Sequence, residues 1–420
     1  MGNKANNEVA ADSYLYEPIK DFENDDSPNN FKLKFFPIIH PSDEAIAERN
    51  QIEREILKLS GLELEKEIWI EDIPIDFYGA NHIHTIRAQD NRDFLDKKKS
   101  TIIMVHGFNS SCSHYIKMIK NFYEDYNVYA IDMIGMGFSS RPQPKFEDSK
   151  EYINFFVDSI EAFRMEIFKN YSEEDNKKFY LVGHSLGGYI STNYSIKYPK
   201  YIIKLFLLSP VGITDIKNNT EEDNDKTTMG RKVIDSIICL IWPLKTTVQN
   251  LINSNFMFKN FLKKGLLNRY IIDQQEKELV RDLTYHSLTN YPKDLDVAIY
   301  YILKLPLPMA IWPLEDVIPN RIKDFSVDII YGSNDWMESK GANRICKNDT
   351  TGRFNLFYMR SGRHTFNLER PNDSSLHILQ GIERDKLMKS NVPKKSEDNI
   401  VSNEDDKLEE FLKNNLDIEG

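Results

Sequence analysis

The chain reads as an α/β protein: a mostly parallel central sheet flanked by helices, with a helical cap inserted late. Three observations predict this. Short β-branched or aromatic runs alternate with helical stretches between about residues 65 and 385. The later runs are nearly continuous in apolar character, as strands buried on both faces of a parallel sheet should be. One interval, 213–320, is too long to be a crossover between two strands.

The elements follow in order. Residues 1–40 are polar and are expected to be a disordered tail. An N-terminal helix is expected within 41–64, where Ile46, Ile52, Ile56 and Leu59 recur at helical spacing among Glu, Arg and Lys. Strands are expected at 67–72, 82–88, 101–106, 127–132, 178–183, 204–209, 328–332 and 354–359, with helices at 113–124, 151–170, 187–198 and 339–348. The core is therefore 65–212 plus 321–385. The 213–320 insertion begins as a charged loop (214–231) and continues as helices rich in Ile, Leu, Phe and Trp. It is expected to cap the C-terminal edge of the sheet, where open α/β sheets keep their active sites. Residues 391–420 read as an acidic tail, in which 404–416 could form a short amphipathic helix.

Composition narrows the function. With 54 Lys+Arg against 65 Asp+Glu the 420 residues carry a net charge of −11, which argues against a nucleic-acid partner. Cys112, Cys239 and Cys346 are odd in number and lack CxxC spacing, so a disulfide framework or zinc cluster is not expected and a reducing compartment is. Residues 1–30 have no apolar signal-peptide core. The most apolar run, VIDSIICLIWPL (233–244), contains Asp235 and Pro243 and falls short of the roughly 20 residues that span a bilayer. A cytoplasmic protein without a signal peptide or transmembrane helix is expected. Met1-Gly2-Asn3-Lys4-Ala5-Asn6 resembles an N-myristoylation signal except that Asn6 replaces Ser or Thr. A single acyl chain would anchor only marginally.

The chemistry concentrates in KFYLVGHSLGGYIS (178–191). A strand runs into Gly183-His184-Ser185-Leu186-Gly187 and a helix follows at once, the G-x-S-x-G turn in the context it requires. Such a turn forces Ser185 into a strained, exposed conformation above a helix N-terminus, which favours developing negative charge. Upstream, IIMVHGFNSS (102–111) ends a strand in His106-Gly107-Phe108. The backbone amides of Phe108 and Leu186 can then point together at a carbonyl oxygen and form an oxyanion hole. A serine hydroxyl also needs a base, and in this arrangement chain order runs Ser, Asp/Glu, His. Of the histidines after Ser185, His286 falls in the cap and His377 in a late helix, whereas His364 follows a strand and the flexible Ser361-Gly362-Arg363. The acid is taken as Asp335, just past the strand that ends at Gly332, with Glu338 and Asp215 as reserves. His82 and His84 alternate on one strand, but no third ligand accompanies them, so they read as structural, and Asp132 reads as a carboxylate bracing its loop.

With the serine turn, the His-Gly turn, DMIGMGFSSRP and the late histidine in this order, the chain resembles the α/β-hydrolases over roughly 65–385. Closer in, AIDMIGMGFSSRP (130–142), YGSNDWMESKGA (331–342) and the residues after His364 resemble one lipid-metabolising subfamily. It contains α/β-hydrolase domain-containing proteins four and five and a plant relative with lysophosphatidic acid acyltransferase and phospholipase activities. An animal lipase coactivator in that group lacks the nucleophilic serine, which this sequence keeps. The subfamily's H-x4-D box, connected with acyl transfer, corresponds here to HTFNLE (364–369) and ends in Glu369.

The resemblance implies a serine hydrolase of acyl esters that works through an acyl-enzyme and needs no metal or organic cofactor. Its substrate would be an acyl lipid. A serine peptidase of the same fold and a catalytically idle scaffold for a lipase or lipid surface are the alternatives. The cap residues Ile237, Ile238, Leu240, Ile241, Trp242, Phe256, Phe258 and Phe261 suit long acyl chains. With Lys245, Lys259, Lys263, Lys264 and Arg269 they could rest on a membrane or lipid-droplet surface; packing down on the sheet is the other reading.

Overall fold

The computed structural model describes residues 41–89, 98–144, 146–172, 177–218, 242–245, 247, 250, 270–291, 294–304 and 309–390. Both tails, the Gly2 signal, Cys239 and most of the cap residues singled out above lie outside these. The chain divides into two compact units, residues 1–379 and 380–420.

In the first unit, strands β1 (Ile68–Asp76), β2 (Ala80–Ala88), β3 (Thr101–Val105), β4 (Asn127–Ile131), β5 (Phe179–His184) and β6 (Ile202–Leu208) are followed by a separate two-stranded pair, β7 (Leu303–Lys304) and β8 (Met309–Ala310). Then come β9 (Ser326–Gly332) and β10 (Phe354–Met359). The eight-stranded sheet has the order β1-β2-β4-β3-β5-β6-β9-β10. From β4 to β10 every pair is parallel, while β2 runs antiparallel to both of its neighbours. β3, β4 and β5 are buried along their whole length, which accounts for their unbroken apolar runs. β3 is flanked by β4 on one side and β5 on the other, so the winding reverses between β3 and β5. A crevice opens at the carboxyl ends of strands flanking such a switch point.

The longer helices are α1 (Asp43–Lys58), α2 (Ser149–Ile167), α3 (Leu186–Lys197), α4 (Gln274–Asn290), α5 (Lys340–Asn348) and α6 (Pro371–Ser390). Asp148 caps α2 in a reciprocal box with Glu151, which defines its start. α1 packs against α4, burying Ala45, Glu53, Ile56 and Leu57. The stretch 113–124, read as one helix, is instead a 3-10 turn (Cys112–Tyr115), one α turn (Ile116–Ile119) and a series of tight turns. Here burial overrides helical continuity. Cys112, Tyr115, Ile116, Met118, Ile119 and Phe122 are all buried, and the Tyr115 hydroxyl donates to the Val105 carbonyl. The first hairpin is longer than the 67–72 run suggested, because β1 stays paired with β2 as far as Asp76↔Ala80.

Of the cap residues read as a lipid-facing patch, Trp242 and Lys245 are described, and both are half-buried. The Trp242 ring lies 4.7 Å from that of Tyr300, and the Lys245 ammonium sits 3.9 Å over the Tyr301 ring. No helix among the described residues is long and apolar enough to cross a membrane. Cys112 and Cys346 carry free thiols.

Candidate active site

β5 delivers Ser185 at the switch-point crevice. The residue stands in a left-handed conformation, φ 55° and ψ −118°, that few non-glycine residues adopt. Neighbouring backbone holds it there: its amide donates to the Leu208 carbonyl, and its own carbonyl accepts from Val211 and Tyr189. The flanking glycines are required by space. A Cβ on Gly183 would meet the Gly187 carbonyl and Ser191 Oγ at 2.6 Å, and one on Gly187 would strike the carbonyls of Val105 and His106. Ser185 thus ends a strand and opens α3, with the amide of Leu186 as the first N–H of that helix.

The turn after β3 closes on the serine from the other side. A Cβ on Gly107 would sit 2.9 Å from Ser185 Cβ, so the Phe108 amide follows immediately beside the elbow. His106, the residue before, is fully committed: its Nδ1 donates to the Gly107 carbonyl and its Nε2 accepts from the Met133 amide.

His364 and Asp335 complete a hydrogen-bonded line. Ser185 Oγ donates to His364 Nε2 at 3.0 Å, and His364 Nδ1 donates to Asp335 Oδ1 at 3.2 Å. The Asp335 side chain is 1% exposed and that of His364 12%. Burial works against the Asp335 charge, but the His364 ring, the Ser209 hydroxyl and the Met337 amide more than offset it and hold the carboxyl below its ordinary range. The loops after β9 and β10 are knitted together to place this pair. Asn334 donates to the Gly362 carbonyl, Ser333 to that of Met359, and Ser361 to Ser333 Oγ. The reserve acids are engaged elsewhere: Glu338 Oε1 accepts from the Lys340 amide, and Asp215 Oδ1 from that of Lys217.

Four further residues meet the line without having been singled out for it. His184 Nε2 donates to the His364 carbonyl at 2.8 Å, and Ser209 donates to Asp335. The half-exposed Trp336 ring lies 5.1 Å from the His364 ring. Glu369 accepts from Arg363, from Thr365 Oγ1 and from the Ile271 amide, bracing the loop on both sides of His364. Ser209, the residue after β6, could have been flagged because it ends the strand next to β5 at the same sheet edge.

Four of the other histidines make contacts of their own. His286 lies on α4 beside Asn290, and the His377 ring lies 5.7 Å from that of Phe357, tilted against it. His82 donates to the Phe138 carbonyl, and Ser140 donates to it. His84 is buried between Asp72 and Glu53. Its ring, Cys112 and Asp132 bring ligand atoms within 4.8 Å of one another, but internal hydrogen bonds fill the set. Both His84 nitrogens are taken, and Asp132 braces its loop by accepting from the amides of Cys112 and Phe138. Burial and the Asp132 charge also push the Cys112 thiol up.

The family model for the α/β hydrolase fold matches residues 100–231. A 1-acylglycerol-3-phosphate O-acyltransferase of Arabidopsis thaliana is 26% identical over 261 residues, 58% of this chain and 57% of that one. The human 1-acylglycerol-3-phosphate O-acyltransferase ABHD5 is 29% identical over 180 residues, 43% of this chain and 46% of that one. The chain thus spans about half the length of these curated relatives. Among solved structures, a bacterial membrane phospholipase A superposes with a TM-score of 0.54 at 16% identity, covering 81% of this chain and 92% of that one. The carboxylesterase CesB of Bacillus subtilis gives 0.51 at 14%, covering 80% and 97%. These likenesses establish a shared fold.

Proposed function

We propose that this chain, an α/β-hydrolase by fold, is a serine carboxylic-ester hydrolase acting on acyl lipids. The observation that carries the reading is the unbroken line from Asp335 through His364 to a serine held in the left-handed region. Ser185 Oγ attacks the acyl carbonyl while its proton passes to His364 Nε2. The carbonyl electrons move onto the oxygen, which the Phe108 and Leu186 amides receive. Collapse expels the alcohol, which takes the proton back from His364, and leaves an acyl-enzyme. Water, deprotonated by the same imidazole, releases the fatty acid and the serine. Asp335 keeps the imidazole in the tautomer whose Nε2 is free to accept, and stabilises the imidazolium as it forms.

The acyl-lipid assignment rests on the relatives, whose names carry acyl transfer to an acylglycerol phosphate. Transfer differs from hydrolysis only in whether water or a lipid hydroxyl meets the acyl-enzyme. Glu369 favours hydrolysis, because its carboxylate is spent on Arg363, Thr365 and the Ile271 amide. Residues 213–320 serve in this reading as the cap over the site. A fluorophosphonate probe should label the protein and fail to label Ser185→Ala. Labelling of neither would return the chain to the idle-scaffold reading. A product profile over phospholipids, lysophospholipids and acylglycerols then identifies the ester.

A further inference from the structure

One residue beyond the Phe108 amide begins a small cavity of mixed polar and apolar lining that the reaction as described does not use. Its walls come from four places: Asn109 and Ser110 after β3, Gly137 after β4, Leu283 and Ser287 on α4, and Asp296 in the 3-10 turn Asp294–Ala298. Asn109 directly follows Phe108, so the cavity begins one residue, about 3.8 Å of backbone, from the amide that faces the substrate carbonyl. The Ser287 hydroxyl is spent on the Gly137 carbonyl. Ser110 Oγ and Asn109 Oδ1 are buried and make no hydrogen bond among the described residues, although Ser110 is only 8% exposed. Buried polar atoms of this kind mark a place that a water or a ligand hydroxyl fills. The space is water-sized, enough for one hydroxyl and too small for a phosphate. Asp296 is the one ionisable side chain among the described lining residues, and it is 2% exposed. A carboxylate there accepts a hydrogen bond from a hydroxyl and repels a phosphate, which sites recognise with Arg or Lys instead.

We infer that this cavity is a hydroxyl subsite: it takes a free hydroxyl of a neutral glycerol ester whose acyl carbonyl lies at Ser185, and it rejects a phosphate at that position. The inference rests on the ester-hydrolase reading and gives it a substrate class, acylglycerols in preference to acylglycerol phosphates. A hydroxyl a few bonds from the ester carbonyl reaches Asn109 and Ser110 when the carbonyl oxygen faces Phe108.

The test uses ether analogues that cannot be hydrolysed, so it does not depend on turnover. Binding of 1-O-octylglycerol and of 1-O-octylglycerol-3-phosphate to full-length Ser185→Ala protein is measured by calorimetry. The neutral ether should bind about tenfold or more tightly than the phosphate. Adding Asp296→Asn should weaken the neutral ether by about three- to tenfold and narrow the gap, and adding Ser110→Ala should weaken it by a similar factor. Ser110→Ala removes one oxygen at little cost to folding and decides the matter if Asp296→Asn does not fold. Tighter or equal binding of the phosphate, no binding of either ether, or equal losses for both ethers in the variants would overturn the subsite. The ester-hydrolase reading fails separately, through absence of fluorophosphonate labelling and of p-nitrophenyl butyrate hydrolysis in the parent protein.

Discussion

Two histidines in this molecule are each held between two oxygen groups, and they are chemically opposite. His364 donates to a carboxylate and accepts from a hydroxyl, and it keeps a little exposure. His84 donates to two carboxylates, Asp72 at 2.6 Å and Glu53 at 2.8 Å, and is fully buried. Burial disfavours the His84 cation, but the Glu53 charge and the hydrogen bonds to Asp72 and Glu53 overcome that and raise its pKa to about 10. It is therefore a fixed cation with no lone pair to offer. Exchanging one carboxylate for a neutral hydroxyl is what leaves a lone pair on His364 Nε2. The first arrangement ties α1 to the β1–β2 hairpin; the second can move a proton.

The comparison breaks most sharply at the hydroxyl. Ser185→Ala should leave the fold intact, since one oxygen is lost, and should cut ester hydrolysis by about 10⁶ on the precedent of comparable triads. Purified variant that kept more than about 1% of activity on several esters would remove Ser185 from the chemistry. At the carboxylate, Asp335→Asn should lower kcat by about 10⁴, because the amide no longer fixes the tautomer. Glu338→Gln should do far less, as its carboxylate meets only the Lys340 amide among the hydrogen bonds described. The reverse ranking would move the acid to Glu338.

His84→Gln tests the other half. It removes the cation that faces buried Glu53, leaving Arg49 at 3.4 Å from that carboxylate and Asp72 in contact with solvent. The loss should therefore lie at the low end for a broken buried pair, about 3 kcal/mol of stability. Activity per folded molecule should stay within about twofold, because His84 is structural. The pH dependence has a definite sign. A folded pKa near 10 lies above the unfolded value near 6.5, so this contribution is fully present below pH ~6.5 and is lost as pH rises through 10. The melting temperature of the parent protein should therefore fall across that window, and the fall should be shallower in His84→Gln. A variant that melts with the parent's full pH slope would show that the His84 cation does not anchor α1.

How far each histidine was legible follows from where its partners lie in the chain. Ser185 stood out because strand, glycines and helix fall within fourteen consecutive residues, and His364 and Asp335 because each directly follows a strand of its own. His84 was legible only as structural. Glu53 is supplied by α1, and which face of α1 turns inward depends on its docking against α4. The pattern Ala45, Arg49, Glu53, Ile56 does put Glu53 on the apolar stripe, the one hint available locally. His184 was read only as the variable position of the turn, because its ring meets the His364 carbonyl across 180 residues. The 113–124 stretch was misread for the same reason: tertiary burial, which local spacing does not report, broke its helix.

The smallest expected effect lies at Glu369, where the histidine loop is braced. The half-exposed Arg363 side chain and the buried Glu369 side chain form an ion pair that straddles His364, and the same carboxylate takes Thr365 Oγ1 and the Ile271 amide at 3.1 Å each. Glu369→Gln keeps the shape and loses the charge-assisted bonds, which are worth about 1.5–3 kcal/mol in total stability. The loop should loosen, and kcat should fall by only about three- to tenfold, since Ser185, His364 and Asp335 keep their own contacts. Glu369→Asp restores the acid of the acyltransferase-type box but shortens its reach to Arg363 and Ile271. If the carboxylate is a brace, Glu369→Asp should behave like Glu369→Gln and leave the ratio of acyl transfer to hydrolysis unchanged, measured with a lysophospholipid acceptor in competition with water. A rise in transfer without loss of stability would show instead that the position acts on the acceptor.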